Sequence, residues 1–264
     1  MPVTLENDSR LQMEPVVKVS DLDLTLSESQ ILENINLSLD AGETLVLLGK
    51  NGCGKTVLLK TICGLFEPTV GSIHLFGQDI NKLTGQELNN IKQKFGYVFQ
   101  KSGLFDSMNV AENVMFGLKR FQPDSPEKMR ARATECLEKS GLRGAEEKLP
   151  SELSGGMKKR AALARAIATN PPLLLLDDPA AGLDPVLTDA MADVILELKA
   201  DLNAAAIVIT HDLKLTEKLA DKISLMVSGR IHCTLPAQEF FTSNDESVVQ
   251  FREGALTGPI KVIE

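Results

Sequence analysis

Thr44-Leu45-Val46-Leu47-Leu48 runs into Gly49-Lys50-Asn51-Gly52-Cys53-Gly54-Lys55-Thr56, and the helix-compatible stretch Val57 to Ile62 follows directly. Strand, Gly-rich turn and helix in this order turn a G-x-x-x-x-G-K-[ST] match into a phosphate-binding loop. The glycines leave no Cβ in the way of backbone N–H groups curling around an anion, and the helix aims its positive end at the same point. Lys55 then reaches the β- and γ-phosphates of a nucleotide, and the Thr56 hydroxyl holds Mg²⁺. A chance loop can carry the same octapeptide, so the reading rests on what surrounds it.

Leu173-Leu174-Leu175-Leu176-Asp177-Asp178-Pro179 supplies the second half of a nucleotide site. An apolar strand ending in a carboxylate sets that charge at the carboxyl edge of a parallel sheet, where Asp177 orients Mg²⁺ and its waters. Asp178, one residue on, is positioned to polarise an attacking water. Without a phosphate loop in the same chain, an acidic dipeptide would read as a solvated strand end.

Outward from these two segments, strands and helices alternate. Ile35, Leu37 and Leu39 alternate with Asn36 and Ser38 as a half-buried strand; Ile73, Leu75 and Phe76 form another, ended by Gly77, and Tyr97-Val98-Phe99 a third. Val110, Val114 and Leu118, then Met129, Ala133 and Leu137, recur every four residues around Pro123 and Pro126 and predict a helical insertion. Core strands follow at Leu173 to Leu176, Ala206 to Ile209 and Ile223 to Val227, with a helix through Leu187, Met191, Ile195 and Leu198. The predicted fold is α/β: a mostly parallel core sheet, an antiparallel β portion and an inserted helical subdomain. The expected divisions are a polar leader at 1–15, a main domain at 16–240 with the helical subdomain at about 101–160, and a C-terminal tail at 241–264.

Composition narrows the function. A chain of 264 residues, 43% hydrophobic, can bury a full core. It has no apolar stretch near the roughly 18 residues that cross a bilayer, and Met1 to Pro15 lacks the pattern of a secretion signal, so a cytosolic protein is expected. A net charge of −8 argues against nucleic acid as a partner. The cysteines at 53, 63, 136 and 233 form no metal-binding pattern and read as buried reduced thiols, except Cys53, which the loop is expected to expose to a cleft. His74 and His232 read as ordinary strand residues, and Lys158-Lys159-Arg160 as a solvated helix face.

Taken together, the motifs resemble those of ABC transporter ATPase subunits, nearly end to end. Gly49 to Thr56 is similar to the Walker A loop, Gln100 to the Q-loop glutamine and Leu153-Ser154-Gly155-Gly156-Met157 to the signature. Leu173 to Asp178 resembles the Walker B strand, Ala181-Gly182-Leu183-Asp184 the D-loop, and His211 the switch histidine. Six motifs in family order are far more specific than any one. The resemblance implies ATP and Mg²⁺ as ligands, with Gln100 completing the Mg²⁺ and water environment beside Thr56 and Asp177, and His211 sensing the γ-phosphate. It also implies a head-to-tail homodimer in which Ser154, Gly155 and Gly156 meet the nucleotide bound by the other subunit. Ser154 and the two glycines opening a helix fit an anion site on physical grounds as well.

A narrower resemblance, to the Mla/Mce-type ATPases of phospholipid transport, rests on Met157, on Gln100 to Val110 with Glu112-Asn113-Val114, and on Gln250-Phe251-Arg252-Glu253-Gly254 with Gly258-Pro259-Ile260. It implies an ABC permease subunit and an Mce-type lipid-binding protein as partners, with the ATPase held peripherally on the inner face of the membrane through the permease. An importer of amino acids or other polar solutes, and a soluble clamp-like ABC ATPase, are the competing readings. Two residues depart from the family pattern. Asp178 stands where Glu is usual, withdrawing the carboxylate by about 1.5 Å, and the base-stacking aromatic is replaced by Leu26, with Leu22 and Leu24 no more aromatic. Phe105 and Met108 fall in the segment expected to face the permease, with core packing an equal reading.

Overall fold

The computed structural model describes residues 14–261. Most of the leader expected at 1–15 therefore lies outside the described residues. In chain order the strands are β1 (Val17–Leu26), β2 (Ser29–Leu39), β3 (Thr44–Gly49), β4 (Val70–Leu75), β5 (Gln78–Asp79), β6 (Phe95–Val98), β7 (Leu173–Asp177), β8 (Ala205–Ile209), β9 (Lys222–Val227) and β10 (Arg230–Pro236). The helices are α1 (Lys55–Ile62), α2 (Gly85–Lys92), α3 (Val110–Phe121), α4 (Pro126–Lys139), α5 (Gly155–Ile167), α6 (Pro185–Leu202), α7 (Leu213–Leu219), α8 (Ala237–Thr242) and α9 (Glu246–Glu253).

Two sheets form, with orders β2-β1-β4-β5 and β10-β9-β3-β8-β7-β6. The first is antiparallel; in the second, β9, β3, β8, β7 and β6 run parallel and only β10 is reversed. The central strands β3, β7 and β8 are short, nearly unbroken apolar runs because both of their faces are covered. Leu45 and Leu47, Leu173 and Leu175, and Ile207 and Ile209 enter a core shared with α1 and the antiparallel sheet. Val46 and Leu48, Leu174 and Leu176, and Ala206 and Val208 enter the core built with α3 to α9. Each wholly buried leucine contributes roughly 1.5–3 kcal/mol relative to exposure.

Local signals start and stop the helices. Asn109 and Glu112 form a reciprocal capping box at α3, Ser125 and Pro126 open α4, and Asp184 caps α6 before Pro185. Asn203, in the left-handed region at φ 48°, ends α6. Gly96 has a tertiary reason: a Cβ there would sit 2.2 Å from the Ala166 carbonyl oxygen, so β6 and α5 pack backbone to backbone.

The predicted architecture holds, with corrections in detail. β4 stops at Leu75 because Phe76 turns into the left-handed region at φ 53°, and the third short strand runs from Phe95 to Val98, leaving Phe99 outside. Leu187 lies on an exposed face of α6. Lys158 to Arg160 is not a solvated face: Lys159 is buried, and Arg160 donates to the Ser140 carbonyl at 3.0 Å. Cys53 is buried, and Cys233 is the half-buried thiol. The chain past residue 240 packs onto the body, with Val248 and Ile260 in the core beside Phe240.

Candidate active site

Parallel pairing brings the site together. Leu47 of β3 and Asp177 of β7 both pair with Ile209 of β8, so Gly49, Asp177 and the Thr210-His211 turn emerge at one carboxyl edge. Gly49 (φ 149°) passes so close to β9 that a Cβ would meet the Met226 carbonyl oxygen at 2.3 Å. Gly54 (φ 105°) caps α1 in a conformation that side chains rarely adopt.

The loop holds its own lysine in place. Lys55 Nζ donates to the carbonyls of Gly49 at 2.7 Å and Lys50 at 2.9 Å, which curves the chain around the ammonium. Thr56 Oγ1 donates to Asp177 Oδ1 at 3.0 Å. Asp177 is 2% exposed, and burial raises its carboxyl pKa against the opposing Thr56 bond. A buried carboxylate paired with a hydroxyl is an oxygen donor set short of positive charge, which suits Mg²⁺. Thr56 and Asp177 would hold that ion, which supplies charge neutralisation of the phosphate oxygens.

A cavity of about 510 Å³ collects Asn51, Gly52, Gly54, Lys55, Thr56, Gln100, Asp177, Asp178 and His211. His211 Nδ1 lies 3.3 Å from Asp178 Oδ2. Asp178 sits in the left-handed region at φ 49°, with its N–H donated to the Ile209 carbonyl at 2.9 Å. Its carboxylate is thus aimed by a turn locked onto β8.

Other expected residues lie elsewhere. Within the loop, Gly49 and Cys53 do not line this cavity, and Lys50 faces the C-terminal segment, donating to the Lys261 carbonyl at 3.1 Å. The Cys53 thiol is tucked 3.8 Å from Lys55 Nζ, which corrects its expected exposure. Ser154, Gly155 and Gly156 open α5 away from this cavity, Ser154 Oγ accepting from the Met157 N–H at 3.3 Å. Of the base-side leucines, Leu22 and Leu24 are core and Leu26 is half-buried; the apolar residues lining the cavity are Ile31, Val57 and Ile209.

Sequence reasoning missed Ile31 and Lys159. Lys159 Nζ donates to the Gln100 carbonyl and, at 3.1 Å, to the Asp178 carbonyl. A signal existed for it: on α5, Lys159 shares the helix face of the buried Ala162, Leu163 and Ala166, at spacings of three, four and seven.

A phosphate loop after a central parallel strand, facing carboxylates on nearby strand ends, defines a P-loop nucleoside triphosphatase. Residues 32–181 match the sequence profile described as ABC transporter, and the chain belongs to that family. It is 37% identical to "Probable ribonucleotide transport ATP-binding protein mkl" of Mycobacterium leprae, over 97% of this chain and 74% of that one. It is 35% identical to the intermembrane phospholipid transport system ATP-binding protein MlaF of Haemophilus influenzae, over 93% of both chains. Among solved structures it matches a dimeric ATP-binding cassette in a post-hydrolysis state bound to ADP and Pi. There the TM-score is 0.78 and the identity 30%, over 84% of this chain and 98% of that one. The chain is an ATP-binding and ATP-hydrolysing subunit of an ABC transporter. No helix among the described residues is long and apolar enough to cross a membrane.

Proposed function

We propose that this chain energises phospholipid transport through a separate permease, working with an Mce-type lipid-binding protein. The observation that carries the reading is its 35% identity to MlaF over 93% of each chain. Met157 in the signature and the tail residues Gln250 to Gly254 and Gly258 to Ile260 support the same assignment. Ribonucleotide transport is the second reading, favoured by the higher identity to mkl.

In the proposed cycle Lys55 and the loop N–H groups of Gly49 to Thr56 bind the phosphates, and Thr56, Asp177 and Gln100 arrange Mg²⁺ and water. Asp178 draws the proton from the attacking water, and His211 contacts the γ-phosphate. Two copies associate head to tail, so that Ser154, Gly155 and Gly156 of each close the other's site. The exposure of this helix start in the single chain is consistent with that role. We divide the chain into a 16–240 ATPase domain, with its helical subdomain at about 101–160, and a 241–264 tail, and assign it to the cytoplasmic face of the membrane.

The proposed permease contact is the exposed pair Phe105 and Phe116, whose rings meet at a 45° tilt with centroids 4.7 Å apart, with half-buried Met108 nearby in sequence. A charge introduced at Phe105 would have to be desolvated in a partner's groove, so Phe105→Glu should uncouple transport while leaving ATP binding intact. Purification of the tagged chain from its native membrane tests the whole assignment. A multi-span permease, an Mce-domain protein and phospholipid are expected to co-purify. A solute-binding protein with ribonucleotide or amino-acid affinity and no bound lipid would overturn the lipid reading.

A further inference from the structure

We infer that Lys159 is a positioning residue for ATP hydrolysis, clamping the Gln100 turn and the Asp178 turn to α5 so that all three move as one unit. Lys159 is 7% exposed, and its ammonium is spent on the backbone carbonyls of Gln100 and Asp178. The Asp178 carbonyl also accepts the Ala181 N–H at 3.1 Å, and the Asp178 N–H is bound to Ile209. The turn carrying the catalytic carboxylate is therefore held on both sides of its peptide planes. Farther along α5, Arg165 donates to the carbonyls of Gly103 at 2.6 Å and Ser102 at 3.0 Å. One helix thus grips the segment after β6 at three carbonyls and the segment after β7 at a fourth.

At about 1.5 Å of rise per residue, Lys159 stands about 6 Å along the helix from Gly155, and Arg165 about 9 Å farther. Whatever displaces the signature end of α5 is transmitted rigidly to Gln100 and Asp178. Burial lowers the Lys159 pKa, while Asp178 and Asp177 oppose that effect, so the cation lies within the field of both carboxylates. Lys159 does not line the phosphate cavity, so its removal leaves Lys55 and the phosphate loop in place. It frees two carbonyls to drift, and a misplacement of about 1 Å at the reacting group costs on the order of 10²-fold in rate.

This inference rests on the reading of Asp178 and Gln100 given above, and the experiment separates the two. ATPase kinetics and nucleotide affinity are measured on the assembled transporter carrying Lys159→Met, Lys159→Gln, Lys159→Arg or Asp178→Asn. Lys159→Met is expected to lower kcat by about tenfold or more with ATP affinity within about twofold, and Lys159→Arg to restore most of the rate. Lys159→Gln, which keeps an N–H donor, is expected to fall between, and it carries the test if the Met variant does not assemble. Wild-type kcat in the Met or Gln variant, or equal losses of kcat and affinity that Arg does not rescue, overturns the positioning role. If Asp178→Asn turns over at the wild-type rate, the site reading falls and this inference with it. An inactive Asp178→Asn beside an unimpaired Lys159→Met overturns this inference alone.

Discussion

His211 Nδ1 faces Asp178 Oδ2 across 3.3 Å, although the two residues follow different strands. The pairing of Asp177 with Ile209 puts their turns side by side. A carboxylate held by a locked turn and an imidazole can polarise one water from a fixed direction. Asp178→Asn keeps the shape but loses the proposed base, so hydrolysis should fall by about 10²–10⁴-fold while ATP still binds. Asp178→Glu extends the carboxylate by about 1.5 Å and should hydrolyse ATP at an equal or higher rate. Turnover and nucleotide affinity of the assembled complex check both; a large loss in the Glu variant would mean that this left-handed turn is fitted to Asp.

Gly96→Ala should destabilise the protein by about 1–3 kcal/mol or more, since the new methyl meets the Ala166 carbonyl and no side-chain rotation relieves it. The expected readout is a lower urea midpoint at an unchanged slope. A midpoint equal to wild type would show that β6 and α5 separate easily.

Thiol labelling of the native protein should rank the cysteines by burial. Burial pushes the Cys63 and Cys136 thiols up to about 11 and also raises Cys233, which is nevertheless only half-buried. Mass spectrometry after alkylation near neutral pH should find Cys233 modified first and the other three only on unfolding. Cys53 lies under the loop, so ATP should not change its labelling. Labelling of Cys53 that ATP suppresses would instead show that the loop opens.

Asp245 caps α9, accepting the N–H groups of Ser247 and Val248 at 3.0 Å, and its carboxylate also meets His232 Nε2 at 2.9 Å. The Val248 N–H, with the His232 ring behind it, holds the Asp245 carboxyl below its usual pKa. A depressed folded-state value stabilises the protein above the unfolded carboxyl pKa of about 3.9, and the gain is lost as pH falls through the folded one. Asp245→Ala should cost about 1 kcal/mol at neutral pH, and chemical denaturation should find the difference from wild type shrinking below about pH 4. A difference that persists unchanged in acid would assign the effect to packing.

Features encoded by neighbouring residues are legible in the sequence itself. The phosphate loop needs glycines, lysine and threonine within eight positions, and the carboxylate strand end is contiguous. Strands covered on both faces betray themselves as unbroken apolar runs, and caps such as Asn109 with Glu112 sit three residues apart. The tertiary structure alone decided which separated segments meet. Lys159 reads as one of three surface charges until Gln100, 59 residues away, and Asp178, 19 residues away, are seen to offer it their carbonyls. Cys53 reads as a cleft thiol, but it is buried, with its Sγ 3.8 Å from Lys55 Nζ. Ile31, not Leu26, lines the cavity because β2 is held against the turn between β9 and β10, where the Glu33 N–H donates to the Gly229 carbonyl at 2.9 Å, and Lys50 meets Lys261 because the tail returns across the body. Local spacing carries backbone geometry and amphipathic period, whereas burial and hydrogen-bond partners across long separations depend on sheet order, and no short stretch of this chain specifies that β3 lies between β8 and β9.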